Sequence, residues 1–185
     1  MNRCAWLNLK NPLYVHYHDH EWGVPVHDDQ KLFEMLMLEC FQAGLSWECI
    51  LNKQAHFRAA FDNFDIDKIS RYDDKKCQEL LANPNIIRNR LKIKACVQNS
   101  RIFQHIQAEF GSFDAYIWGF TNGQTCVEEY CVRTTSPLSD EIAKDLKKRG
   151  MAFLGSTTIY AYLQSIGIIN GHGKECDWHS KSITI

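Results

Sequence analysis

The chain has 185 residues, 45% of them hydrophobic and 23% charged, with a formal net charge of -1. That balance excludes a disordered or low-complexity protein and provides for one sizeable core, while the near-zero charge excludes a protein drawn to nucleic acid by its overall field; any DNA contact has to come from a local basic patch or from amides at helix ends. No apolar run approaches the roughly 18 residues of a membrane helix, and the opening MNRCAWLNLKNPLY lacks a secretory pattern, so the expectation is a cytoplasmic protein with no membrane partner.

In chain order, the first segment carries Trp6, Tyr14, Tyr17 and Trp22 among Asn11, Pro12, histidines and acids. Aromatics so interrupted suit an irregular segment that either lines a pocket or packs on the core. Asp28 or Asp29 then caps a helix through Leu32, Phe33, Leu36, Cys40 and Phe41, with Gly44 as its stop. Glu39 lies in the apolar end of that helix, where it either faces the boundary or serves a ligand, since a carboxylate there accepts hydrogen bonds from an amino group and favours a cation. Ser46 caps a second helix in which Ile50, Leu51, Phe57 and Phe61 form the apolar side, and Trp47 at its start can offer a ring face to a ligand.

A short element follows from Asp65 to Ser70, and Asp73 caps a helix ending near Leu81. Pro84, between Asn83 and Asn85, forces a tight turn before a long helix predicted to begin near Ile86, so the two helices fold back on each other. SFDAYIWGF reads as a short helix, and the stretch from Thr121 to Asp140 as mostly loop with some extended structure. Ser139 is predicted to cap a helix that ends in Lys147, Lys148 and Arg149, and Ser156 to open the last helix, stopped by Gly167. With no long strand, the fold class is all-α.

Of eight cysteines, Cys40, Cys49, Cys77 and Cys96 sit in apolar helix patterns as small hydrophobes, which argues against a disulfide scaffold. Cys4 and Cys176 differ, lying near opposite ends in histidine-rich surroundings. With His18 and His172 they make a donor set suited to tetrahedral zinc, although spacing alone leaves His16, His20 and His179 as equal candidates. Metal bound there would restrain chain ends that otherwise fray, and four protein ligands would leave no position for water, so such a site is structural.

The stretches RCAW (3–6), NPLYVHYHDHEWGVP (11–25), LFEMLMLECFQAGLSW (32–47), IIRNRLKI (86–93) and LKKRGMAFLGSTTIYAYLQSIGIINGH (146–172), with Cys176, closely resemble the 3-methyladenine DNA glycosylase I family of helix-hairpin-helix glycosylases. The resemblance implies one glycosylase domain over 1–185, a hairpin over about 74–110, and terminal segments 1–22 and 168–185 joined by a single structural Zn2+ on Cys4, His18, His172 and Cys176. It assigns base binding to Tyr17, Glu39 and Trp47, with Trp6, Trp22 and Tyr14 as further pocket aromatics, and implies a monomer that excises 3-methyladenine from alkylated double-stranded DNA without an obligatory protein partner. Glu39 is expected to recognise the base and stabilise the reacting state. Contacts to the DNA backbone are expected from Asn85, Arg88, Arg90 and Lys92; of the four basic residues Arg88, Arg90, Lys92 and Lys94, about two can face DNA. Two positions depart from the family pattern: Ala5 where glycine is common, and Asn85 where the hairpin usually has glycine, a change asparagine tolerates because it accepts positive φ better than most residues. The same residues also admit preference for another alkylpurine such as 3-methylguanine, or a zinc-stabilised DNA-binding module without activity.

Overall fold

A computed structural model describes residues 1–128 and 133–179. Helix dominates it. The elements are α1 (Pro12–His20), α2 (Asp29–Gln42), α3 (Trp47–Leu51), α4 (Gln54–Ala60), a 3-10 turn (Asp62–Phe64), α5 (Ile66–Ser70), α6 (Asp74–Ala82), α7 (Arg90–Phe110), α8 (Phe113–Gly119), β1 (Cys126–Val127), α9 (Pro137–Lys148), α10 (Ser156–Ser165) and β2 (Ile169–Asn170). The two strands are a single short parallel pairing of Cys126 with Ile169 and Val127 with Asn170. The last six residues of the expected 168–185 terminal segment lie outside the described residues.

Most boundaries follow from caps written in the sequence. Asp28, Ser46, Asp65, Asp73 and Ser112 each accept a backbone N–H in the first turn of the helix that follows. The organising element is α2, whose residues from Leu32 to Phe41 are all buried because α3, α7, α8 and α10 surround it.

Several expectations need correction. The segment 12–20 is helical, with Asn11 accepting from Leu13 and Tyr14 N–H and Pro12 in the first position, where its missing donor costs nothing. The single helix expected after Ser46 divides into α3 and α4 around Asn52 and Lys53. The helix expected to start from Ser139, α9, is capped by Ser136 and begins at Pro137; Ser139 is the other half of a capping box. The long helix starts at Arg90 rather than near Ile86, because the Asn89 side chain accepts from Leu91 and Lys92 N–H. Asn85 does not occupy the positive-φ region; its N–H is instead held by the Asn83 side chain and its carbonyl by Lys53.

The site is positioned by two docking events. Asn11 and Asn8 both donate to Glu48, which ties α1 to α3. Gly167, at φ +77°, ends α10 where a Cβ would stand 2.4 Å from the backbone of Val24 and Pro25. That close approach lets Gly23 and Val26 bond the carbonyls of Gln164 and Ile166, laying the segment after α1 along the end of α10.

Candidate metal centre and adjoining cavity

Cys4, His18, His172 and Cys176 are all buried, and their ligand atoms lie within 4.8 Å of one another. Cys176 Sγ is 3.6 Å from His18 Nε2 and 3.4 Å from His172 Nδ1, and Cys4 Sγ is 3.6 Å from His172 Nδ1. Zinc at about 2.3 Å from sulfur and 2.0–2.1 Å from nitrogen, at tetrahedral angles, puts the two donor types about 3.5 Å apart. The observed spacings therefore fit one Zn2+, and the four side chains are positioned to coordinate it.

The remaining ring nitrogens agree. His18 Nδ1 lies 2.8 Å from Asp19 Oδ1 and His172 Nε2 lies 3.2 Å from the Trp22 carbonyl. Each acceptor keeps a proton on that nitrogen and leaves the lone pair of the other facing the metal, and Arg3 holds Asp19 through Nε and Nη2. Burial pushes the Cys4 thiol up to about 12 and His172 down to about 4, and it also lowers His18, so both imidazoles are neutral and the Cys4 thiol resists ionising. Two thiolates around a dication cancel its charge, which suits a buried cluster. The rival histidines are engaged elsewhere: His179 faces the His172 carbonyl, while His16 and His20 pair with each other on the exposed side of α1. The chain ends are also joined directly, by Asn2 and Asp177 exchanging backbone and side-chain bonds.

Against this cluster lies a cavity of about 300 Å3. It brings together all six expected base-site residues, Trp6, Tyr14, Tyr17, Trp22, Glu39 and Trp47. Tyr17 and Trp47 face each other at 5.2 Å between centroids, and Trp6 meets Trp22 edge-on at 4.9 Å. The walls grow out of the metal ligands: Tyr17 precedes His18, Gly171 precedes His172, and the Trp22 ring packs on both histidines. A Cβ on Gly171 would stand 2.5 Å from Gln164 Nε2 and 3.2 Å from the Trp22 ring, so only glycine leaves the cavity its width there.

Two glutamates of α2 show what distinguishes the cavity. Glu34, buried, accepts from Gln54 and Arg58. Glu39, 3% exposed, has Oε2 buried with no partner among the described residues, and burial alone lifts its carboxyl to about 8. The Trp47 indole N–H in the same wall is likewise buried without an acceptor. A buried polar atom left unpaired costs roughly 1–3 kcal/mol, so these two groups are complete only when something occupies the cavity. Glu39 can accept a donor from an aromatic ligand and, ionised, can hold a cation between ring faces.

Sequence reasoning missed part of this wall. Gln42, Glu128, Arg133, Tyr160 and Gln164 also line the cavity. Tyr160 Oη donates to Glu128 at 2.7 Å and Arg133 Nη1 lies 3.6 Å from the same carboxylate. The face of α10 had the signature of ordinary core packing, and nothing local marks Glu128 or Arg133.

The expected backbone contacts divide. Asn85, Arg88 and Arg90 are exposed. Lys92 is not available: its ammonium is buried and donates to the Phe41 and Ala43 carbonyls at 2.8 and 2.6 Å, closing the C-terminus of α2, where a cation also complements the helix dipole. The first amides of α7 are similarly occupied by Asn89.

The family model described as methyladenine glycosylase matches residues 6–180. DNA-3-methyladenine glycosylase 1 of Escherichia coli (strain K12) is 39% identical over 180 residues, covering 95% of this chain and 96% of that protein. Among solved structures, a 3-methyladenine DNA glycosylase I superposes with a TM-score of 0.91 at 41% identity, covering 95% of this chain and 98% of the other. A tyrosine-to-phenylalanine variant of 3-methyladenine DNA glycosylase I in complex with 3-methyladenine gives a TM-score of 0.92 at 33% identity, covering 100% and 99%.

Proposed function

The chain belongs to the 3-methyladenine DNA glycosylase I family of helix-hairpin-helix glycosylases, and from that membership we infer that it hydrolyses the N-glycosidic bond of 3-methyladenine in alkylated double-stranded DNA. The observation that carries the reading is the unpartnered carboxylate of Glu39 inside an aromatic cavity.

Methylation at N3 gives the nucleoside a positive charge, and the free base leaves neutral. The chain must therefore favour a cation and hold it still. The damaged nucleotide swings out of the duplex at a cost of a few kcal/mol, which the cavity recovers. Tyr17 and Trp47 stack on the base, Trp6, Trp22 and Tyr14 shape the cavity around it, and Glu39 accepts a hydrogen bond from its amino edge. The ionised Glu39 is matched to the cationic purine and gives a neutral one much less. The bond from base to sugar then breaks with its electron pair going to the base, water adds to the anomeric carbon, and the water proton passes to solvent. An abasic site remains, with no lysine adduct formed.

Zinc supplies no step in this scheme. Four protein ligands complete its coordination, and its work is to hold the segments bearing Trp6, Tyr17, Trp22 and Gly171 in register. Arg88 and Arg90, exposed beside the hairpin, bind backbone phosphate. Cysteines used as metal ligands and buried helix side chains suit the reducing cytoplasm, where we place the protein as a monomer.

The test is incubation of the zinc-loaded protein with methylated duplex DNA and chromatography of the released bases. Free 3-methyladenine is the expected product, sharply reduced for Glu39→Gln at unchanged zinc content. No release by the wild-type protein, or equal release by the variant, would sink respectively the activity and the role of Glu39.

A further inference from the structure

His16 and His20 carry metal-binding side chains that the zinc centre leaves unused. They stand four positions apart on α1, so both rings leave the same face of the helix, the arrangement by which paired histidines hold a metal in helical sites. Both are exposed, whereas Tyr17 and His18 between them are buried against the cavity and the zinc centre. Their ring centroids lie 4.7 Å apart at an interplanar angle of 43°. Neither imidazole has a hydrogen bond or ion pair among the described residues.

The distance between the rings is that of a chelate. Two imidazoles bound to one metal at about 2.0–2.1 Å and about 90° to each other hold their centroids about 4.6 Å apart, and a tetrahedral angle widens this to about 5.3 Å. The observed 4.7 Å matches the right-angled case, that of octahedral and tetragonal ions. The surroundings admit a dication. His16 and His20 border a recess of about 400 Å3 together with Glu21, Lys31 and Arg58. Both cations of that lining are compensated, Lys31 by Glu21 at 3.2 Å and Arg58 by the buried Glu34 at 2.8 Å. His20 is also the last residue of α1, where positive charge complements the helix dipole.

We propose that His16 and His20 form a second metal site, which takes one Cu2+ or Ni2+ between the two rings with water in the remaining positions. It differs from the zinc centre in what decides exchange: two protein ligands rather than four, imidazole without thiolate, and exposure rather than burial. Metal here comes and goes while the structural zinc stays. The two rings face one metal only while residues 16–20 are helical, so occupancy fastens the last turn of α1, from which Tyr17 reaches the cavity and His18 the zinc. Such a site is independent of whether the cavity takes 3-methyladenine.

The test titrates Ni2+ into the untagged, zinc-loaded protein by calorimetry, with zinc content, sedimentation and the near-ultraviolet spectrum followed in parallel. The expected result is one Ni2+ per monomer, the zinc retained, no thiolate-to-nickel charge-transfer band, and a Tm that rises with Ni2+ concentration. His16→Ala and His20→Ala each weaken binding by at least about tenfold, since loss of even an outer partner of a metal ligand costs about 10- to 100-fold, and the rise in Tm disappears. The double variant binds within about twofold of either single one, because one histidine cannot chelate. All three keep their zinc and a Tm close to wild type in the absence of Ni2+, as substitutions of exposed side chains do. An affinity for Ni2+ unchanged in His16→Ala or in His20→Ala overturns the site. So does Ni2+ uptake matched by loss of zinc and a thiolate band, which places the ion on Cys4 and Cys176. Half an equivalent of Ni2+ with a doubled mass also overturns it, by drawing the ligands from two copies of the chain.

Discussion

The metal centre and the cavity share walls, yet they resolve burial of polar groups in opposite ways. Around the metal, each ring nitrogen not facing the ligand centre has its own acceptor, Asp19 or the Trp22 carbonyl, and Asp19 is itself held by Arg3. In the cavity, Glu39 and the Trp47 indole are buried and incomplete. Closed polar networks fix a structure; open ones, kept at a cost to stability, await a ligand. Glu34 and Glu39 repeat the contrast five residues apart on one helix.

Removing the metal tests the first half and should have the largest effect. Chelation, or Cys176→Ala, is expected to lower Tm by about 10–20 °C and to remove excision with it, because structural zinc contributes several kcal/mol to folding. Calorimetry with parallel excision assays checks this, and a protein of full stability and activity without metal contradicts it. Glu39→Gln should cost roughly 10^2-fold in kcat/KM, about the size of one preorganised electrostatic contact, while zinc content and helix content stay at wild-type values. Loss of zinc from that variant would erase the distinction between the two regions.

Gly171→Ala probes the seam between them. Crowding Gln164 and Trp22 narrows the cavity, so KM is expected to rise about tenfold while Tm falls by only a few degrees. A variant that instead released its zinc would show the seam to belong to the metal site.

Glu39 also gives stability a dependence on pH. Burial holds the Glu39 proton on in the folded state up to about 8, whereas the unfolded chain releases it near 4.5. Stability relative to Glu39→Gln therefore falls as pH rises between those values, and stays reduced above about 8. Melting curves from pH 5 to 9 should show the variant gaining on wild type; a constant gap would mean that Glu39 is solvated or paired.

Much of this was legible in the chain. Asp28, Ser46, Asp65, Asp73 and Ser112 mark helix starts because a cap is a local interaction. The helical α1 was also marked, by Asn11 followed by Pro12, but the scattered aromatics obscured a pattern whose hydrophobic periodicity is weak. Ligand choice among five histidines became firm only with the motifs, since His18 and His172 come together through the docking of α1 on the end of α10. Lys92 eluded the sequence for a related reason: its partners are carbonyls of α2, and a lysine between Leu91 and Ile93 looks like any exposed cation on a helix. Glu128 reaches the cavity directly after a strand pairing of two residues, too short to leave a pattern.

A coordinatively closed metal thus organises the cavity while the base is cleaved apart from it. Replacing zinc with Co2+ tests this most directly, since the cobalt absorption spectrum reports coordination number. The expected result is a tetrahedral two-sulfur, two-nitrogen spectrum that does not change when 3-methyladenine or abasic-site DNA binds, with excision within about twofold of the zinc protein. A spectrum that shifts to five-coordinate on ligand binding, with a rate that follows the metal, would contradict it.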